Sequence, residues 1–481
     1  MKTAREYVQS LGQLHPVVYA FGERIENVVD HPLTRPHVNA AAMTYHLATL
    51  PEYKDLMTAT SHLTGATINR FTHIHQNTDD LIKKVKMLRL LGQRTGSCFQ
   101  RCVGLDALNA LYSVTYEMDQ AFGTEYHKRL VKYLRKVQDE DLMCAGSMTD
   151  PKGDRSLSPH EQPDPDMYVH VVERRSDGIV VSGAKAHQTG IVNSHEFICL
   201  PTVAMDEEDK DYALAFALPV DAPGVIHVFG RQSNDTRKLE DSLDQGNARF
   251  GTVGGEALTI LDNVFVPWDR VFMCGEYQFT RDLVERFASY HRQNYGACKV
   301  GVADVIVGAA AAIAECNGVN RASHIRDKLV EMCHLSETLY CGSIACSCEG
   351  AKTPSGAYVV DSMLANVTKQ NVTRLMYEIC RLCQDIAGGF IATLPSERDL
   401  KNPEIGKYVQ KYFRGSVSYT TEYRFRMARL IENLTAGTAL VESMHGAGSP
   451  QAQRIMIYRQ ANLAQKKKLA EAIAGITGAP E

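Results

Sequence analysis

Cys98 and Cys102 stand four residues apart in the run Ser97-Cys98-Phe99-Gln100-Arg101-Cys102. On a helix that spacing puts both sulfurs on one face, where two thiols can grip a metal or a cluster. The usual iron–sulfur runs space their cysteines C-x₂-C, so these two also read as buried structural cysteines. A second group lies in Tyr290-His291-Arg292-Gln293-Asn294-Tyr295-Gly296-Ala297-Cys298-Lys299. His291, Tyr295 and Cys298 fall at i, i+4 and i+7, a single polar stripe on a helix whose neighbours are apolar. Gly296 interrupts good helix formers, and its missing side chain would let something bulky approach the backbone. A hydrogen-bonded core histidine is the plain alternative for His291. Taken together, Cys98, Cys102, His291 and Cys298 make a Cys₃His set, which suits zinc as well as an iron–sulfur cluster.

Polar loops supply a different chemistry. Met148-Thr149-Asp150-Pro151-Lys152-Gly153-Asp154-Arg155 and Lys185-Ala186-His187-Gln188-Thr189-Gly190 could hydrogen-bond a flavin ring and its phosphates, or could be ordinary turns. Glu256 enters an apolar strand directly after Gly254-Gly255, and Glu442 lies three residues before His445 and a glycine-rich turn. Either carboxyl could be a tuned acid or base, or simply structural.

The elements that must hold these groups change character along the chain. Residues 1–143 read as a helical domain: 79–121 carries apolar residues at helical spacing with Lys83, Lys84, Lys86 and Arg89 between them, Gly123 breaks it, and 125–143 is amphipathic. Residues 144–275 hold short β-rich runs, with Asp177-Gly178 as a hairpin signal, and predict an antiparallel sheet or small barrel. From 276 to 481 the helical pattern returns. The expected class is therefore α+β, helical then β then helical. Fifty-two basic against 56 acidic residues leave a net charge of −4, which gives no reason to expect nucleic acid or an anionic membrane as partner. The most apolar stretch, 302–316, contains Asp304 and falls short of the ~18 apolar residues of a membrane span. No secretory signal opens the chain, and 13 cysteines without disulfide-scaffold spacing fit a reducing, cytoplasmic setting. There is no P-loop and no G-x-G-x-x-G in a strand–turn–helix context, so a nucleotide cofactor would need a non-Rossmann architecture.

The stretches LGQRTGSCFQRCVG, MTDPKGDR, GAKAHQTG, ERFASYHRQNYGACKVG and ESMHGAGSPQAQRIMI carry a resemblance over essentially the whole chain. It resembles the 4-hydroxybutyryl-CoA dehydratases, within the wider family of 4-hydroxyphenylacetate 3-monooxygenase-like flavoproteins. The resemblance implies an acyl-CoA-dehydrogenase-like fold with a β-barrel middle domain and a C-terminal helical bundle. It implies FAD and a [4Fe–4S] cluster on Cys98, Cys102, His291 and Cys298, and an oxygen-sensitive homotetramer built as a dimer of dimers. The implied activity is radical dehydration of 4-hydroxybutyryl-CoA to crotonyl-CoA, with vinylacetyl-CoA Δ-isomerase activity. His291 is then the first candidate for the base at C2 and Glu442 the second, with Glu256, Tyr295 and Lys299 around the same centre. Thr149, Asp150, Arg155, Gln188, Thr189, Gln100, Gly388 and Gly389 are the implied flavin contacts. Two alternatives stay in view: a two-component flavin monooxygenase acting on a phenol, and a non-catalytic protein with a structural zinc.

Overall fold

Five helices set up the interior in the computed structural model, which describes residues 1–476: α1 (Thr78–Thr95), α2 (Cys102–Phe122), α3 (Thr280–Cys316), α4 (Ser323–Cys348) and α5 (Ser362–Ala387). Asn77 caps the start of α1, its side chain accepting from the Asp80 N–H at 2.9 Å, and left-handed Gly96 ends it. α2 is buried almost throughout its first four turns and ends at left-handed Gly123, the break expected from the sequence. α3 is long and apolar enough to cross a membrane by length and composition. It runs instead as the central rod of the helical layer, with α1, α4 and α5 packed along it and Ala303, Ala310, Ile313 and Ala314 fully buried.

The crossing of α1 and α3 is unusually close because both helices are bare where they meet. A Cβ on Gly301 would lie 2.2 Å from the Arg89 carbonyl oxygen, and one on Gly92 would lie 2.6 Å from the Cys298 carbonyl oxygen. Arg89 fastens the same crossing with a two-pronged bond to Asp304, Nε to Oδ2 at 2.9 Å and Nη2 to Oδ1 at 3.1 Å. Gly296 has the corresponding role against the other helices. Its Cβ would meet Ser343 Oγ at 2.3 Å and Thr368 Cγ2 at 2.5 Å. The bare surface expected there for a bulky ligand is thus taken up by α4 and α5.

Ten strands carry the β layer: β1 (Val17–Ala20), β2 (Glu23–Ile25), β3 (Cys144–Ser147), β4 (His170–Arg174), β5 (Gly178–Thr189), β6 (Glu196–Cys199), β7 (Leu214–Pro219), β8 (Val225–Phe229), β9 (Glu256–Pro267) and β10 (Val271–Cys274). The expected hairpin at Asp177-Gly178 is present between β4 and β5. The expected barrel is not. The strands form two open sheets, in the orders β2-β1-β8-β9-β5-β4 and β10-β7-β6-β3. Among the described residues each sheet ends in an unpaired edge, and no ladder joins the ends into the ring that a barrel requires. Nor are the sheets purely antiparallel, since β1 runs parallel to β8 and β3 parallel to β6. β1 and β2 come from the region expected to be helical. Alternation along a strand reports which faces are buried and says nothing about closure.

Gly301→Ala should lower unfolding stability by about 1–3 kcal/mol, the usual cost of overpacking, read as a lower urea midpoint at unchanged slope.

Candidate active site

Gly96 ends α1, and Gln100, buried and held at φ 67°, turns the chain so that α2 begins at Cys102. Cys98 and Cys102 therefore do not share a helix face, as their spacing suggested. Cys98 lies in the turn and Cys102 opens a helix, where the positive end of the helix dipole favours a thiolate. The stripe on α3 forms as expected, with His291, Tyr295 and Cys298 on one continuous helix and Lys299 next to Cys298. The close α1–α3 crossing brings both groups to one cavity, whose walls include Cys98, Cys102, His291, Cys298, Tyr295, Lys299, Glu442 and Thr189.

Burial pushes all three thiols up, Cys298 to about 11. Such sulfurs are inert until a metal displaces their protons. His291 is oriented for ligation: its Nδ1 is 2.8 Å from Asp106 Oδ2, which leaves Nε2 to the cavity. Spacing bears on which metal fits. A tetrahedral zinc with bonds of about 2.3 Å holds its sulfurs about 3.8 Å apart. Among the described residues, the donor atoms gathered within 4.8 Å of one another are those of exposed His160 and Asp206 and buried Asp209. Three donors drawn from Cys98, Cys102, His291 and Cys298 do not meet that spacing in this structure.

Glu442 reaches the cavity from α6 (Thr438–His445). Tyr295 donates to its Oε1 at 2.6 Å and Lys299 donates to Oε2. Burial works to raise this carboxyl, but the Lys299 charge and the two hydrogen bonds win and hold it below the usual range. Glu256 opens β9, and the β5–β9 register sets it opposite Thr189, whose hydroxyl donates to Glu256 Oε2 at 2.7 Å. Burial lifts Glu256 to about 8, and the Thr189 hydrogen bond and the Lys299 charge only partly oppose this. Two carboxyls at one site are thereby pushed in opposite directions.

Three residues here gave no signal in the sequence. Asp106 is four residues beyond Cys102, but lone acidic residues in helices are commonplace. Lys84 was one of several basic residues and turns out to be fully buried, 2.7 Å from Asp106 Oδ1. Lys369 on α5 donates to the Ser443 and Met444 carbonyls, each at 2.9 Å, and lies 4.5 Å from the Tyr295 ring centre. Burial pulls it down to about 7.

The proposed flavin contacts divide. Gln100 sits against Gly190 and Gly254, where an added Cβ would come within 2.7 Å and 3.4 Å of its side chain, and its buried Oε1 lacks a partner. Gln188 donates to the Thr149 carbonyl at 2.9 Å. Asp150 pairs with Lys185 at 2.8 Å beside a separate small cavity, and Arg155 is exposed. Gly388 and Gly389 follow the end of α5, 19 residues past Lys369, about 28 Å along the helix at 1.5 Å per residue. They do not reach this cavity.

The family models for the N-terminal and C-terminal parts of 4-hydroxyphenylacetate 3-hydroxylase match residues 3–273 and 280–475. The 4-hydroxybutyryl-CoA dehydratase/vinylacetyl-CoA-Δ-isomerase of Clostridium aminobutyricum is 58% identical, over 99% of this chain and 100% of that one. The chain belongs to the 4-hydroxybutyryl-CoA dehydratase family. A solved structure of an oxygen-tolerant archaeal 4-hydroxybutyryl-CoA dehydratase from N. maritimus superimposes with a TM-score of 0.98 at 53% identity, covering 100% of this chain and 96% of that one. The oxygenase component of 4-hydroxyphenylacetate 3-monooxygenase, solved in complex with FAD, superimposes at 0.86 with 24% identity and covers 98% of each chain, which shows the shared fold. That fold replaces the β-barrel arrangement expected for the dehydratase family from the sequence.

Between an unfolded value near 4.5 and about 8, the folded chain holds a proton on Glu256 that the unfolded chain has lost. Stability therefore falls as pH rises through this window. Glu256→Gln should match wild type near pH 4.5 and exceed it above pH 8 by more than about 1.4 kcal/mol, the value of one pKa unit, in urea melts across pH.

Proposed function

We propose that this cavity dehydrates 4-hydroxybutyryl-CoA to crotonyl-CoA and isomerises vinylacetyl-CoA, with FAD and a [4Fe–4S] cluster held by Cys98, Cys102, His291 Nε2 and Cys298. The observation that carries the reading is the convergence of these four donors with Glu442, Tyr295 and Lys299 on one cavity. The 58% identical dehydratase of the Clostridium supports the substrate and reaction. The FAD in the 3-monooxygenase complex, on the same fold, supports the flavin. When bound, the flavin supplies the one-electron chemistry that makes an unactivated C3–H acidic, and the cluster supplies Lewis-acid chemistry at the C4 hydroxyl.

The chain's own groups handle protons and position. Two carboxyls with divergent pKa values divide into base and acid. Glu442, ionised, takes the C2 proton at its carboxylate. Glu256, protonated at neutral pH, gives a proton toward the departing hydroxyl. His291 offers only Nε2, which can hold iron or a proton but not both at once, so Glu442 is the base we favour over it. Lys299 has N–H bonds beyond the one to Glu442 and can meet the thioester oxygen as charge develops there. We assign Thr189, which lines the cavity, and Gln188, Thr149 and Gln100 near it to the flavin, with Asp150 and Arg155 farther along the same loops. We assign Gly388 and Gly389 to the flavin of a neighbouring subunit in a dimer-of-dimers tetramer. Exposed apolar side chains near the C-terminus, Tyr458 and Ile473 at 72% and 92% among them, support such an assembly.

Protein purified without oxygen should carry flavin and the iron and sulfide of one cluster per chain, and Cys298→Ala should lose the iron together with dehydration. An iron-free wild type would overturn the reading. In butyryl-CoA, exchange of the C2 proton with solvent should drop by at least about 10²-fold in Glu442→Gln, the lower end for a general base, with cofactor content unchanged. Glu256→Gln should keep that exchange and lose dehydration.

A further inference from the structure

Asp106 is fully buried on α2 and takes no part in the steps above. A buried carboxylate is costly unless its lone pairs are matched, and here the matching is nearly complete. Lys84 Nζ donates to Oδ1 at 2.7 Å, with neither side chain exposed to solvent. Asn294 Nδ2 donates to Oδ2 at 2.6 Å, and His291 Nδ1 lies 2.8 Å from that same oxygen. Lys84 is fixed in turn. Its ammonium also donates to the Tyr290 carbonyl at 3.3 Å and sits 5.1 Å from the centre of the Tyr290 ring. The array spans three helices, since Lys84 is on α1, Asp106 on α2, and His291 and Asn294 on α3.

The direction of the histidine bond follows from the donor inventory. One oxygen of Asp106 is held by an ammonium and the other already receives an amide N–H, so the carboxylate accepts from the imidazole and Nδ1 carries the hydrogen. A neutral ring protonated at Nδ1 has its lone pair at Nε2, toward the cavity. Asn294 adds to the constraint. With Asn294 and His291 both bonded to one oxygen, the ring cannot rotate about its Cβ–Cγ bond without leaving that oxygen.

We propose that Lys84 and Asp106 form a positioning relay that locks His291 as the Nδ1–H tautomer with Nε2 aimed at the cluster, and thereby set how firmly iron is held at its one non-thiolate corner. This inference rests on the cluster reading given above. The relay acts before any substrate binds, so its effect is on metal retention rather than on substrate affinity.

The test uses anaerobic holoprotein. Asp106→Asn should release iron to a chelator 10- to 100-fold faster than wild type, the range over which partners of metal ligands act. An iron-loaded wild type whose Asp106→Asn variant releases iron at the wild-type rate would overturn the relay and leave the cluster reading intact. A wild type that never holds iron would overturn both. If the variant does not fold, wild-type holoprotein still decides the matter. Pulsed EPR of the reduced cluster, compared in H₂O and D₂O, should detect an exchangeable proton on the remote nitrogen of the bound imidazole. A remote nitrogen without that proton would overturn the relay.

Discussion

Two glycines facing each other across a helix crossing govern the geometry of everything else. Gly92 and Gly301 let the backbones of α1 and α3 touch, and a Cβ on either would meet carbonyl or Cα atoms of the other helix below 3 Å. Helices separated by side chains usually pack 8–10 Å apart. At that distance the turn after α1, with Cys98, would stand off from the α3 stripe. The crossing is also where Arg89 reaches Asp304. One close contact thus sets the distance between two sets of candidate ligands that are nearly 200 residues apart in the chain.

Within that frame, electrostatics distinguishes groups of the same chemical type. Glu442 lines the cavity, and Glu256 stands behind the cavity residue Thr189. One has a lysine and a tyrosine donating to it and is held ionised; the other has a single threonine hydroxyl and keeps its proton to about 8. Lysines divide the same way. Lys299 faces Glu442 and stays charged, whereas Lys369 is tied to backbone carbonyls and burial pulls it to about 7. An acid, a base and an ammonium therefore coexist in one small space without cancelling one another.

Periodicity made half of this site legible in the sequence. His291, Tyr295 and Cys298 recur at helical spacing, and the structure keeps them on one face of α3. The other half depended on backbone geometry that residue types did not announce. Nothing about glutamine signals a φ of 67°, yet Gln100 adopts it and takes Cys98 off the helix. Lys84 looked like one of several solvated bases, because a helix face is assigned inner or outer only by what packs on it. Gly296 looked like room for a ligand and is room for α4 and α5. The sheets failed in the same way: alternating strands in 144–275 were legible, but pairing with β1 and β2 from the chain's beginning, and the open edges that follow, depend on contacts far apart in sequence.

The shared fold also limits what architecture can explain. The 3-monooxygenase oxygenase has the same scaffold at 24% identity, so the helices, the two sheets and their arrangement do not by themselves choose between adding oxygen to a ring and removing water from a thioester. The choice must lie in side chains grafted onto that scaffold. In this chain the candidates are concentrated where α1, α2 and α3 converge: three sulfurs and an imidazole at the cavity, and behind them a buried lysine–aspartate pair that does not line the cavity. Burying two opposite charges gains little stability over apolar residues of the same size. Their retention next to His291 is best understood as the cost of holding one ring nitrogen in one orientation.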